Sequence, residues 1–277
     1  MLVTRAIRSV FAQTYQNIQL VVVDDESGRD IAELLERIRL ENDSTKSMLV
    51  LRLDRARGAC AARNHALAAC DGQLVTGLDD DDYFLPERVS SLVGAYDPQH
   101  HAFAFDGYFR ETVLRTGAVR RTRVALARPA RLADLLRRNI AGNQVLTSTE
   151  RMRQVGGFDV RLPAWQDYDL WIRLVREFGE GRAAGGVSYV HTVDRSKPSI
   201  SGDREKITLA FDIFLEKHRE YAQKDLQLCL RMAKACYGID ALSYKDIPDM
   251  LRLGAPRHVL STMYYYLANR PSRRTFR

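Results

Sequence analysis

Cysteine is scarce in this chain. Four occur among 277 residues: Cys60, Cys70, Cys229 and Cys236. None is in a C-x-x-C spacing and both pairs fall in segments of helical periodicity, which argues against disulfides or a thiolate zinc site and for buried, reduced thiols. Long apolar runs are missing too. No stretch approaches the ~20 residues of a membrane span, and Met1 to Asn17 lacks the apolar centre of a secretion signal. The expected location is therefore the cytoplasm. Neither an internal repeat nor a low-complexity tract is present. With 45% hydrophobic residues, the chain is expected to fold as a soluble globular protein, one main domain with an appendage.

Acidic residues are nearly absent from one stretch. Between Arg110 and Arg138 nine arginines (110, 115, 120, 121, 123, 128, 131, 137 and 138) face only Glu111 and Asp134, so this segment alone carries a formal charge equal to the +7 of the whole chain. Such a surface suits anionic partners, a phospholipid headgroup or a phosphorylated acceptor; the alternative is a solvated hairpin around Thr116-Gly117. Few aromatics interleave with these arginines, and no nucleic-acid partner is expected.

Up to about residue 106 helical and extended patterns alternate, which predicts a mostly parallel sheet flanked by helices. Helices are expected over Thr4 to Gln13, Asp30 to Leu40, Gly58 to Cys70, after Pro86, over Leu132 to Asn139 and over Gln166 to Phe178. Strands are expected at Ile18 to Val23, Met48 to Leu53, Leu74 to Leu78, His101 to Phe105, Gln144 to Ser148 and Gly186 to Val190. From Asp203 onward the periodicity is helical, broken near Gly238, Pro248 and Pro256. The predicted organisation is a main domain over 1–201 and a helical extension over 202–277. A helix as the first element is odd for such a sheet, which ordinarily begins with a strand.

Four aspartates in a row, Asp79, Asp80, Asp81 and Asp82, close the apolar run from Leu74 to Leu78. Like charges so close repel, and the cluster is relieved by a divalent cation held by one or two carboxylates with phosphate oxygens completing its shell, as Mg²⁺ or Mn²⁺ prefers. An acidic cap for the helix opened by Pro86 is the competing explanation. Asp24 and Asp25 follow the apolar Val21-Val22-Val23, at the carboxyl end of a strand where open sheets bind ligands. A carboxylate there can accept from a uracil imide or a ribose hydroxyl, or cap the helix near Asp30.

Arg63 falls on the apolar face of its helix, with Ala59, Ala66, Leu67 and Cys70 at helical spacing. It needs an anion, either a nucleotide phosphate or one of the two acidic loops. Asp167 opens the helix whose stripe is Trp171, Leu174 and Phe178 and is expected to share that direction, whereas Asp169 is expected to turn away from it. A partly desolvated carboxylate at the positive end of a helix suits a general base, or simple capping. His191 follows an expected strand and is a candidate metal ligand, or a surface histidine.

Taken together, these segments resemble the inverting family-2 glycosyltransferases of the GT-A fold, bacterial surface-polysaccharide enzymes above all. The residues that carry the likeness are Arg5 to Ile18 with Asp24-Asp25 behind them, Gly58-Ala-Cys-Ala-Ala-Arg63-Asn64, Leu78-Asp79-Asp80-Asp81-Asp82, Gly156-Gly-Phe-Asp159 and Gln166-Asp167-Tyr-Asp-Leu-Trp171. The resemblance implies an α/β fold, a mixed sheet flanked by helices, and a nucleotide-diphosphate sugar as donor, a saccharide or lipid-linked molecule as acceptor. It further implies that Asp24 and Asp25 contact the nucleoside, Arg63 lies near the nucleotide, Asp79 and Asp80 hold the ribose and diphosphate region, Asp81 binds Mn²⁺ or Mg²⁺, and Asp167 is the catalytic base. Gln166 replaces the family's usual glutamate. No segment corresponds to the family's first strand, which lies beside Ile18 to Val23. A gap in the sheet, or a foreign segment filling it, is expected there, with poor solubility or activity for the chain starting at Met1. A nucleotidyltransferase and a nucleotide-sugar-binding pseudoenzyme use similar residues; release of nucleoside diphosphate, of pyrophosphate or of neither separates the three.

Overall fold

The computed structural model describes residues 2–41, 45–114, 116–194 and 204–221, with 227–228, 231 and 248–249 as short isolated stretches. Its elements run α1 (Leu2–Phe11), β1 (Gln19–Asp24), α2 (Arg29–Leu40), β2 (Ser47–Arg52), α3 (Ala59–Ala69), β3 (Leu74–Thr76), β4 (Tyr83–Phe84), α4 (Arg88–Ala95), β5 (Ala104–Val113), β6 (Val119–Val124), α5 (Leu132–Leu135), β7 (Leu146–Ser148), α6 (Thr149–Gln154), α7 (Gln166–Phe178), β8 (Arg182–Asp194) and α8 (Arg204–Lys217). The helices start and stop where the sequence punctuates them. Gly58 (φ 85°) precedes α3, and Ser148 caps α6 by accepting from the Arg151 N–H at 3.4 Å.

Strand pairing forms two sheets. Among the described residues β1 and β2 are parallel and pair only with each other; the second sheet has the order β3-β7-β5-β8-β4, with β6 on β5. β5 and β8 are parallel, and the remaining pairs of this sheet are antiparallel, so it is more mixed than the parallel sheet expected from alternation. Among the described residues no strand bridges the two sheets. β1 keeps one unpaired edge, where a gap is expected, and every residue from Gln19 to Val23 is only half-buried. The gap is spanned at one end by side chains, since Gln19 donates to the Asp71 carboxylate and accepts from its N–H, both at 3.0 Å.

The chain divides into two compact units, 1–135 with 140–160 and 166–197, and 136–139 with 161–165 and 198–277. In the first, Phe103, Phe105 and Trp171 pack with ring centres 5.8–5.9 Å apart. Burial of each such ring stabilises by about 2–3 kcal/mol. An ion pair lies in the same interior: Arg88 donates to Asp106 at 2.7 Å, both fully buried, while Ser188 donates to the other Asp106 oxygen. Arg88 also donates to the Gln144 carbonyl at 3.0 Å and lies over the Tyr189 and Phe84 rings. These partners make the buried charge tolerable, although its Nε has no acceptor among the described residues. The second unit is held by Leu162, Ala164, Ile207 and Ala210, with Trp165 edge-on to Phe214.

Some local expectations change. The helix expected to reach Asn139 ends at Leu135. The strand expected to stop at Val190 continues to Asp194, so His191 lies inside β8 rather than after it. The extension after Asp203 begins with α8, but Cys229, Cys236 and the breaks near Gly238 and Pro256 lie outside the described residues. The basic segment does form a hairpin, β5–β6, around Gly117 (φ 82°).

Candidate active site

The five motif segments meet through specific contacts. On α3, Asn64 donates to the Phe158 carbonyl and accepts from the Phe158 N–H, both at 2.8 Å, so the helix grips the Gly156-Gly157-Phe158-Asp159 turn. Gly157 has φ 64°, and a Cβ there would come 2.5 Å from the Asn64 Oδ1, so only glycine fits this approach. From the other side, Arg173 of α7 donates to the Val155 carbonyl at 2.5 Å and the Gly157 carbonyl at 2.6 Å. The same guanidinium pairs with Asp169 at 2.8 Å. The turn is thereby clamped between α3 and α7, the helix that opens with Asp167.

Asp169 is a correction to the helical-phase reading. It is fully buried, whereas Asp167 is only half-buried. Tyr168 to Ile172, Leu174 and Val175 are all buried, so α7 has no single inward stripe. Arg173, one turn on, makes burial of the Asp169 carboxylate affordable by neutralising it.

This clamp sets Arg63, Asp79 and Asp167 within electrostatic reach of one another. Arg63 donates to Asp79 Oδ1 at 2.6 Å and lies 5.3 Å from the centre of the Phe158 ring. Burial works against its charge, yet Asp79 and then Asp167 hold its pKa above the ordinary value. Burial pushes Asp167 up to about 6; the Tyr168 N–H and the Arg63 charge oppose this, and Asp79 adds to it. Gln144 donates to Asp79 at 3.2 Å, and a Cβ on Gly77 would meet the Gln144 amide at 2.2 Å. The buried Arg88–Asp106 pair thus supports Asp79 through Gln144.

The rest of the acidic run splits by role. Asp82 is buried: it accepts from the Tyr189 hydroxyl at 2.5 Å and the Thr192 N–H at 2.7 Å, tying the loop to β8. Burial pushes its pKa up to about 7, against the pull of those two donors. Asp80 and Asp81 are exposed. Partial burial, followed by the charges of Asp80 and Asp79, raises the Asp81 pKa. Arg5 of α1 donates to the Asp81 carbonyl at 2.6 Å and to the Thr192 hydroxyl at 2.9 Å, and stacks on Tyr83 at 4.5 Å. Burial, then the charge of Arg110, lowers the His191 pKa, with Asp79 opposing them. Among the described residues no three His, Cys, Asp or Glu side chains converge as a metal cage. Crowded carboxylates with two exposed members fit instead an ion that takes its other ligands from phosphate and water.

Asp24 and Asp25 form a separate group at the end of β1. Asp24 is buried, accepts from the Ser27 N–H at 2.8 Å and lies 3.5 Å from Arg52. Asp25 accepts from the Arg57 and Gly58 N–H groups, both at 2.7 Å, so it caps the loop into α3 rather than the helix near Asp30. Cys60 is a buried thiol whose pKa burial pushes up to about 11.

Residues 2–155 match the family model described as "Glycosyl transferase family 2". The chain belongs to that family. The glycosyltransferase is 31% identical over 223 residues, 79% of its length and 77% of the relative's, to the putative colanic acid biosynthesis glycosyl transferase WcaA of Escherichia coli K12. It is 29% identical over 105 residues, 38% of its length and 40% of the relative's, to the UDP-Glc:alpha-D-GlcNAc-diphosphoundecaprenol beta-1,3-glucosyltransferase WfaP of E. coli. Its fold matches the mannosyltransferase PcManGT of Pyrobaculum calidifontis, solved with GDP-Man and Mn²⁺, at a TM-score of 0.57 and 17% identity over 97% of this chain and 81% of that one. The fold is thus that of the GT-A enzymes, a mixed sheet flanked by helices.

Of the expected site residues, Arg63, Asp79 and Asp167 come together, while Arg5, Gln144 and Arg173, and the buried anchoring of Asp82, had no counterpart in the expectations. Arg173 alone left a local signal, its four-residue spacing from Asp169.

Proposed function

We propose that this glycosyltransferase moves a sugar from a nucleoside diphosphate donor to a saccharide or lipid-linked acceptor, with inversion, in the building of a bacterial surface polysaccharide. The observation that carries the reading is the Arg63–Asp79–Asp167 group. A base with a pKa of about 6 is ionised at neutral pH yet basic enough to take a hydroxyl proton in the transition state. Arg63 keeps the two carboxylates from repelling each other and sits ready for a phosphate. The names of the relatives support the class of substrate: UDP-Glc and a diphosphoundecaprenol-linked sugar for WfaP, GDP-Man for PcManGT.

Asp81, with His191, would hold Mn²⁺ or Mg²⁺, phosphate and water oxygens completing its shell, while Asp79 and Asp80 would face the ribose and diphosphate region. Such an ion supplies Lewis-acid neutralisation of the charge that gathers on the leaving diphosphate. Asp167 removes the acceptor proton, and attack from its side inverts the anomeric centre. Asp24 and Asp25, through the loop they brace, shape the nucleoside end.

The exposed basic strand β6 is read as a contact with anionic lipid at the inner membrane face, where a lipid-linked acceptor resides. No helix among the described residues is long and apolar enough to cross a membrane.

The test is nucleoside diphosphate release from UDP-Glc or GDP-Man with Mn²⁺, with the anomeric configuration of any product read by NMR. Mn²⁺-dependent release that Asp81→Ala abolishes is the expected result. Release of pyrophosphate, or equal release in EDTA, would overturn the reading.

A further inference from the structure

Arg110 lies in the middle of β5, in register with His191 of β8, so both side chains occupy one face of the sheet. The next residue, Glu111, points to the other face, where it accepts from the Tyr83 hydroxyl at 3.0 Å and lies 3.6 Å from Arg121. Arg110 is therefore separated from Glu111, its neighbour along the chain, by the strand itself. Its only hydrogen bond among the described residues is a 3.3 Å contact from Nη2 to the Tyr108 hydroxyl, and its Nε is shut off from solvent with no acceptor. No carboxylate among the described residues pairs with it. A guanidinium is always charged and carries five donors, so a half-buried one with a single long hydrogen bond is a costly feature to keep.

Its surroundings say what would satisfy it. Arg120 is opposite Thr112 across the β5–β6 ladder, which puts it on the Arg110 face, one diagonal step away and exposed. Tyr108, edge-on to the His191 ring, closes the other side. Two guanidinium forks and a phenol on one face match the oxygens of a phosphate or diphosphate and offer nothing to a neutral sugar.

We propose that Arg110, backed by Arg120, is a phosphate-binding subsite of this glycosyltransferase. The inference deepens the reading above and rests on it for the identity of the substrates, but binding is measurable without turnover. A phosphate can come from the nucleoside diphosphate or from a diphosphate-linked acceptor.

Calorimetric titrations of the full chain with UDP or GDP in Mn²⁺, and separately with farnesyl diphosphate, distinguish these sources. Arg110→Met should weaken binding by about tenfold or more, the scale of a lost charge-assisted hydrogen bond, and Arg110→Lys should weaken it less. Loss confined to farnesyl diphosphate assigns the acceptor, and loss confined to the nucleotides assigns the donor. Because only the long Tyr108 contact is lost while a poorly paired charge is removed, ligand-free Arg110→Met should melt at or above the parent temperature. Unchanged affinity for every probe overturns the subsite, as does a parent that binds none of them, or a large fall in melting temperature with affinity intact. Asp81→Ala keeps the two readings apart. If it abolishes nucleotide binding while Arg110→Met changes nothing, the subsite fails and the donor assignment stands.

Discussion

Asn64 and Phe158 are joined by two hydrogen bonds, the amide nitrogen to the carbonyl and the N–H to the amide oxygen, each 2.8 Å. A side-chain amide thus plays the part of a backbone strand and docks the glycine turn on α3. Arg63, its chain neighbour, is thereby held over the Phe158 ring. Asn64→Ala leaves a partly buried N–H and C=O without partners, at about 1–3 kcal/mol for each. We expect a fall in melting temperature and a loss of turnover together. Asn64→Asp keeps the acceptor and loses the donor, so its stability should lie between. Equal stability of the alanine variant would show that the docking is incidental.

Asp167 should govern the chemical step. With its pKa near 6, the base is ionised above that value, so the rate should fall about tenfold per pH unit below it and level off above. Asp167→Asn should lose about 10²–10⁴-fold in kcat and remove the acidic limb, while nucleotide affinity stays close to the parent's. An unchanged acidic limb in that variant would assign the titration elsewhere.

Asp169 belongs to stability instead. Its carboxylate is wholly buried against Arg173, and removing one partner of a buried pair costs about 3–5 kcal/mol. Asp169→Ala should therefore unfold at markedly lower denaturant than the parent, and the folded fraction should retain nucleotide binding. A variant of parental stability would mean that Arg173 finds enough in the carbonyls of Val155 and Gly157.

The contrast between these aspartates shows what the sequence can carry. The structure brings Arg63, Asp79 and Asp167 together from three strongly patterned segments, the helix α3, the loop after β3 and the first turn of α7. Helical phase misplaced Asp169, since α7 is buried on nearly all sides and phase discriminates only when one face meets water. Asp82 meets Tyr189 across 107 positions and Arg5 meets Thr192 across 187. Pairings of that range depend on topology, and no local pattern encodes them.

The basic hairpin makes a separate prediction. Arg120, Arg121 and Arg123 are exposed along β6, which among the described residues pairs only with β5, and charge on such an edge also blocks strand addition by another chain. If the strand docks on lipid, co-sedimentation with liposomes should need an anionic component and weaken from 50 to 500 mM salt, at about 1 kcal/mol per basic residue near the surface. Recovery independent of lipid charge would leave the arginines as protection of the edge alone.

The open side of β1 gives the sharpest local test. In a parallel pair, successive residues direct their N–H and C=O groups to alternate sides, and among the described residues β1 has a partner on the β2 side only. Amides of alternate residues from Leu20 to Val23 should therefore exchange with deuterium far faster than their neighbours, although the strand lies in the first compact unit. Such an edge is also a template for another strand, so light scattering should rise with protein concentration and fall when Val22 is replaced by lysine. Uniform protection from Leu20 to Val23 would show that a further segment pairs with β1 in solution, and the two sheets would then be one.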